Sequence, residues 1–305
     1  MSTFDALDPY NDHYHEGPRR VPLRVLSLGM SRTATSSTQQ ALVQLGYSPS
    51  YHGFKSWRAP LRGGHANSDA ARWLRACQLK WETPPSAKRT LELHRTLDEL
   101  LGGCQAAGDM PVVIFWRELW EMHKDDPEFK IILNIRNTDS WHKSWLVVVK
   151  GFTPTLRLKL LYVFDAPMRA MLRHTLLAAR YFWEVESKKK SKSWKFWKSD
   201  STSDSASWTR DSAISRRIYE QHNADIIATI PPERLLLWGP QDGWEPLCTF
   251  LGRPVPQVKM PHVNDAAATE AVWEDVLQAA QRRVLRRAAL FFGVIAVLAG
   301  WWLRA

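Results

Sequence analysis

Cysteine is scarce in this 305-residue chain: Cys77, Cys104 and Cys248 are far apart, and no CxxC pair exists. An odd, scattered set excludes a disulfide framework and the paired spacing of a zinc site, and it fits a reducing compartment. No internal repeat at a fixed period is present, which excludes solenoids and propellers. The first twenty residues lack the basic start and apolar run of a secretory signal. They carry Asp5, Asp8, Asp12 and Glu16 and read as a loosely ordered arm, residues 1–20. Negative charge is also in short supply, with 31 acidic against 41 basic residues and a net charge of +10. The excess points to anionic partners: a nucleotide, a nucleic acid or an acidic membrane face, among which charge alone does not choose. The length is enough for one large domain whose core needs no covalent support.

What is present is an alternation of short apolar runs with helical stretches. Leu23–Leu28 reads as a buried strand, and Thr35–Leu45 as a helix with Gly46 as its stop. Val112–Phe115, Lys130–Ile135 and Arg234–Trp238 are expected as further strands, the last followed by a helix from Trp244 to Leu251 that ends at Gly252. This pattern predicts an α/β fold, a three-layer parallel sheet flanked by helices. Leu156–Val185 reads as one long helical region, and Ile214, Ile218, Ile226 and Ile227 mark an amphipathic helix.

Residues 187–207 form a Lys- and Ser-rich insertion with too little aliphatic surface to order itself. Trp194, Phe196 and Trp197 among its lysines suit an anionic membrane surface better than stacking on bases, so no nucleic-acid partner is expected. Residues 266–287 read as a basic connecting helix. Residues 288–303 are uncharged, follow Arg282, Arg283, Arg286 and Arg287, and end in Trp301 and Trp302. This run is slightly below the usual length of a bilayer span, yet its flanks predict a single-pass C-terminal membrane anchor with the body facing the cytosol, on an organelle left open. The remaining residues, 21–265, are expected to form the α/β domain.

The segment with the most chemistry is Gly29-Met30-Ser31-Arg32-Thr33-Ala34-Thr35-Ser36-Ser37, between the first strand and the first helix. A helix N-terminus presents unpaired N–H groups and the positive end of its dipole, so it captures phosphate. Arg32 adds a cation with several donors, and Thr33, Thr35, Ser36 and Ser37 add hydroxyls. A plain helix cap would need only one of them. A Walker A loop would read GxxxxGK[ST]; here Ala34 and Thr35 stand at the second glycine and the lysine. The missing lysine argues against a kinase or an ordinary NTPase, and no metal site is expected.

The loop resembles the 5′-phosphosulfate loop of P-loop sulfotransferases, in particular a fungal and invertebrate subgroup with the pattern GxxRTGTxS. Arg32, Thr33, Thr35 and Ser36 match in order, while Ala34 replaces the family glycine. Downstream, Arg136 at the end of a strand and Ser144 eight residues on match the family's grip on the 3′-phosphate of 3′-phosphoadenosine-5′-phosphosulfate (PAPS). Trp244–Pro254 resembles the family's late helix, and Pro261-His262-Val263-Asn264 its PHxN element. The family's RKG loop has no clear counterpart; Arg253 and Lys259 are the substitutes within reach of the sequence.

The resemblance implies an enzyme that moves a sulfuryl group from PAPS to a hydroxyl or amine of a small, apolar acceptor and yields 3′,5′-ADP without a metal. Ser31, Arg32, Thr33, Ala34, Thr35, Ser36, Ser37, Arg136 and Ser144 would hold the donor, and Arg32 would also stabilise the departing phosphate. Candidates for the base are His52, Asp109, His65 and His262, with Asp109 at the aspartate of a DxP element. Trp57, Phe115, Trp116 and Trp120 are candidates for an acceptor pocket, against ordinary core packing. The alternative is a catalytically silent phosphate binder that scaffolds partners at a membrane.

Overall fold

The computed structural model describes residues 18–57, 69–151, 155–186, 212–263 and 266–303. The insertion 187–207, His65 and most of the N-terminal arm lie outside the described residues.

The alternation resolves into a five-stranded, all-parallel sheet: β1 (Val25–Ser27), β2 (Ser50–Tyr51), β3 (Ala106–Gly108), β4 (Lys130–Leu133) and β5 (Leu235–Leu237), in the order β2-β3-β1-β4-β5. Between them run helices α1 (Thr35–Gln44), α2 (Asp69–Trp81), α3 (Ala87–Leu101), α4 (Trp116–His123), α5 (Thr138–Gly151), α6 (Leu156–Phe164), α7 (Ala166–Glu186), α8 (Ser212–Thr229), α9 (Trp244–Leu251) and α10 (Ala266–Trp302). Register pairs Leu26 with Ala107 on one side and with Ile131 on the other.

Alternating side chains serve the two faces. Val25, Ala106 and Ile132 pack on Ala41, Leu42 and Leu247 of α1 and α9. Leu26, Ile131 and Leu133 pack on the opposite layer, where Trp73, Leu97, Trp141 and Ile218 come from α2, α3, α5 and α8. Parallel strands covered on both faces explain why the runs read as continuous apolar segments rather than alternating ones. Gly46 (φ 91°) ends α1 and Gly252 (φ 64°) ends α9, as the sequence predicts.

Three expectations are corrected. Val112–Phe115 is a 3₁₀ turn, not a strand. The strand is the small-residue run Ala106–Gly108 just before it, and the chain then turns at Asp109 (φ 63°) and the cis Met110–Pro111 bond. Left-handed Asp109 turns the chain out of the sheet before the β-branched residues arrive. Leu156–Val185 is two helices, broken at Asp165, whose side chain accepts from the Met168 N–H (2.9 Å) and so starts α7.

The third concerns the C-terminal helix. α10 exists, but among the described residues no helix is long and apolar enough to cross a membrane, so the expected anchor and membrane partner are not met. Its uncharged part begins after Arg287 and the helix ends at Trp302. That leaves ~22 Å of rise against a hydrocarbon core of ~30 Å. The first half of α10 packs on the body: Val276 and Ala280 join Leu158, Leu161 and Met171 of α6 and α7. Arg283 grips buried Asp165 with two bonds, 2.8 and 3.0 Å. Beyond it Leu290, Phe291, Trp301 and Trp302 are exposed.

Candidate functional site

In an open parallel sheet, ligands bind beyond the strands' carboxyl ends, where neighbouring strands send their connections in opposite directions. Here that point lies between β1, which leads towards the β2 edge, and β4, which leads towards the β5 edge. The loop 28–34 leaves β1 at this point and residues 134–137 leave β4.

The two loops meet. Arg136 donates from Nη1 to the backbone oxygen of Arg32 (3.2 Å), and Arg32 donates from Nε to Ser144 Oγ (2.9 Å). The two basic-and-hydroxyl segments predicted from separate parts of the chain therefore share one site. Arg32 also reaches Thr269 Oγ1 on α10 (3.5 Å).

Within the loop the Thr33 N–H donates to Met30 O (3.1 Å), closing a turn ahead of α1. Ala34, the N-cap of α1, has no side chain that caps the helix, and the first turn of α1 carries no acidic residue. No side chain of the helix's own first turn therefore neutralises its positive end. Not all the predicted hydroxyls stay open at the loop surface. Thr33 turns inward to Met30 O (2.8 Å), and Ser37 bonds Val263 in both directions, 2.9 and 3.2 Å. Thr35 and Ser36 meet His52 Nε2 at 3.1 and 3.4 Å. Ser31, Arg32, Ala34 and Ser36 remain partly exposed.

Arg32 (φ 78°) and Ala34 (φ 65°, ψ 33°) hold left-handed backbone. A left-handed conformation costs an ordinary residue ~1 kcal/mol or more, whereas glycine adopts it freely. This explains the glycine of the loop pattern and gives a direct test. Ala34→Gly is expected to raise the unfolding free energy by ~0.5–1 kcal/mol, read from urea midpoints. A loss of stability would show that Ala34 is not strained.

His52 and Asp109 lie against the loop. The Phe54 N–H donates to His52 Nδ1 (3.3 Å), so the imidazole proton belongs on Nε2, where it points at Thr35. Both ring nitrogens are thereby engaged in holding the loop. His52 Nδ1 is 3.6 Å from Asp109 Oδ2, while Asp109 Oδ1 accepts from the Ser31 hydroxyl at 2.5 Å. Close packing fixes this pair: a Cβ on Gly53 would stand 1.9 Å from Met110 O and 2.5 Å from Asp109 Oδ2. His262 is exposed, beside the Val263 that Ser37 holds.

Several supporting residues escape sequence reasoning. Trp141 Nε1 donates to Ser31 O (3.0 Å) and its ring stacks on Tyr219 at 4.3 Å. The Tyr219 hydroxyl donates to Arg136 O (3.0 Å) and accepts from Arg136 N (2.7 Å), so one aromatic pair clamps both loops. Burial pushes the Tyr219 hydroxyl above its ordinary pKa, against the smaller opposing effect of the bond it accepts from the Arg136 N–H. Asn134, fully buried, ties Ser27, Thr38 and Trp238 together. The only signal for it is a lone amide in an apolar run.

Other predicted roles move. Phe115, Trp116 and Trp120 are core residues, whereas Trp57 lines a cleft beside Arg32. Arg253 stacks on Tyr47 (5.0 Å), beyond the C-terminal end of α1 and ~15 Å of helix away from the loop, so it does not replace the RKG arginine.

Residues 24–269 match the model of a family described as Sulfotransferase domain. Over 289 aligned residues the chain is 25% identical to Ava biosynthesis cluster protein M of Aspergillus versicolor, which covers 93% of this chain and 97% of that one.

Proposed function

The chain belongs to the sulfotransferase domain family, and from that premise we propose that it transfers a sulfuryl group from PAPS to the hydroxyl or amine of a small acceptor. The observation that carries this reading is the convergence of Arg32 and Arg136 at an uncapped helix start on the carboxyl edge of the sheet.

The residues suit a doubly phosphorylated nucleotide. The N–H groups of the loop and the α1 terminus, with Ser36, would take the 5′-phosphate; Arg136 and Ser144 would take the 3′-phosphate. Ser31 has one proton and gives it to Asp109, so it is the weakest donor of the set. Bound PAPS supplies the sulfuryl group and leaves as 3′,5′-ADP. Asp109 accepts the acceptor's proton as the acceptor oxygen or nitrogen attacks sulfur. Arg32 takes up the charge that builds on the leaving phosphate oxygen as its bond to sulfur breaks. His52 is assigned a positioning role, because its two nitrogens already hold Phe54 and Thr35. The relative named for a biosynthesis cluster fits a small-molecule acceptor.

Calorimetry with 3′,5′-ADP, together with transfer of labelled sulfur from PAPS to an acceptor extract, tests this. Binding in the micromolar range with transfer is expected, and Arg136→Ala should weaken binding ~10- to 100-fold through the loss of a charge-assisted contact. Tighter binding of ATP with Mg²⁺ than of 3′,5′-ADP, or an unaffected Arg136→Ala, would refute the donor assignment. Binding without transfer would leave a silent nucleotide binder.

A further inference from the structure

The face of Arg32 away from the sheet borders a cleft between α5, α10 and Trp57. It is narrow, with a cavity volume of about 30 Å³. Its walls are Trp57, Val147, Val148, Gly151 and Trp273, with Thr269 and Glu270 near the start of α10 and Arg32 on the same lining.

We propose that this cleft is the acceptor subsite and that α10 sets its specificity: Trp273 and Trp57 hold an uncharged apolar acceptor, and Glu270 at the rim repels anionic ones. The inference rests on the sulfuryl-transfer reading and adds the class of acceptor to it.

Four observations support it. Arg32 is shared: it lines the cleft and belongs to the phosphate loop, so an acceptor there lies next to the donor's reacting end. An unbroken aromatic run leads from the Asp109 side into the cleft. His52 lies 4.9 Å from Phe54, Phe54 lies 5.3 Å from Trp57, and Trp57 lies 5.4 Å from Trp273. The lining is mostly apolar with a few polar groups at one end, the usual make-up of a small-molecule site. Glu270 is exposed and, among the described residues, is the one acid of the lining.

A cleft this narrow has room for only a few waters, so an acceptor enters by pushing Trp273 aside. Gly151 is what leaves room for this. A Cβ there would sit 3.4 Å from Trp273 Cδ1 and Nε1, which is contact without overlap, but any larger side chain must fill the cleft or displace the indole.

The experiment uses the full chain and two probes, 2-naphthol and 6-hydroxy-2-naphthoate, titrated into protein saturated with 3′,5′-ADP. In the unmodified protein 2-naphthol is expected to bind at least about tenfold more tightly than its carboxylated analogue, a gap that like-charge repulsion at the rim would produce. Gly151→Val and Trp273→Ala should each weaken 2-naphthol binding about tenfold or more while the affinity for 3′,5′-ADP stays within about twofold. Glu270→Gln should narrow the gap between the probes. Retained 3′,5′-ADP binding shows that each variant is folded. The proposal is overturned by unchanged 2-naphthol binding in Gly151→Val, by no binding to the unmodified protein, or by no preference between the probes. If the unmodified protein fails to bind 3′,5′-ADP, the donor reading falls and this one with it.

Discussion

Asp109→Asn is expected to lower the rate of sulfuryl transfer ~10²- to 10⁴-fold, the usual contribution of a general base, while 3′,5′-ADP binds as before. The substitution keeps size and shape. It also keeps the backbone, since Asn tolerates the left-handed conformation that Asp109 holds at φ 63°. The Ser31 hydroxyl can still donate to the amide oxygen, so the phosphate loop stays in place. What is lost is the ability to take a proton. His52→Gln provides the contrast. His52 braces Thr35 and Ser36, so its loss should weaken 3′,5′-ADP binding as well as turnover. Equal turnover in Asp109→Asn and the unmodified enzyme would assign the base elsewhere, with exposed His262 next in line.

The second large effect is on stability in acid. His174 and His222 are buried, and desolvation pushes each from an ordinary 6.5 down to about 4; carbonyl contacts from Ala170 and Leu28 offset this only in part. His222 sits behind the phosphate loop, donating from Nε2 to Leu28 O at 2.8 Å. The folded pKa lies below the unfolded one, so the unfolded chain binds more protons between the two values. The stabilisation is complete above 6.5 and is lost as pH falls towards about 4. A drop of this size corresponds to roughly 3 kcal/mol per histidine at the acid end. Urea midpoints are expected to fall steeply between about pH 7 and about pH 4.5, and His222→Gln, which can still donate to Leu28 O, should flatten the slope. Midpoints that stay level across this range would mean that these histidines are not buried as neutral groups.

Most of the fold was legible because strands buried on both faces are continuous apolar runs. Leu23–Leu28 and Lys130–Ile135 each contain the observed strand, trimmed at the ends. The helix ends at Gly46 and Gly252 were legible for a local reason: each holds the left-handed backbone that stops a helix. Val112–Phe115 misled because β-branched residues favour strands, but the left-handed backbone at Asp109 had already turned the chain. The C-terminal run misled in a different way. Its composition suits lipid, but its length falls short.

The sequence by itself determined the loop 29–37 at the helix start, the second basic segment and the parallel sheet that supports them. These depend on local chemistry: a strand end, a hydroxyl-rich helix start, an arginine with a serine two turns on. Only the tertiary structure decided which of these groups are engaged within the protein and which stay open. It turned Thr33 and Ser37 inward, engaged both nitrogens of His52, and brought Trp141 and Tyr219 under both loops. It also carried Thr269 and Trp273, more than two hundred residues from Arg32, to the wall of the same cleft. Such partners are set by how helices pack across a sheet, and that packing is a property of the whole chain, so no short stretch of residues carries it.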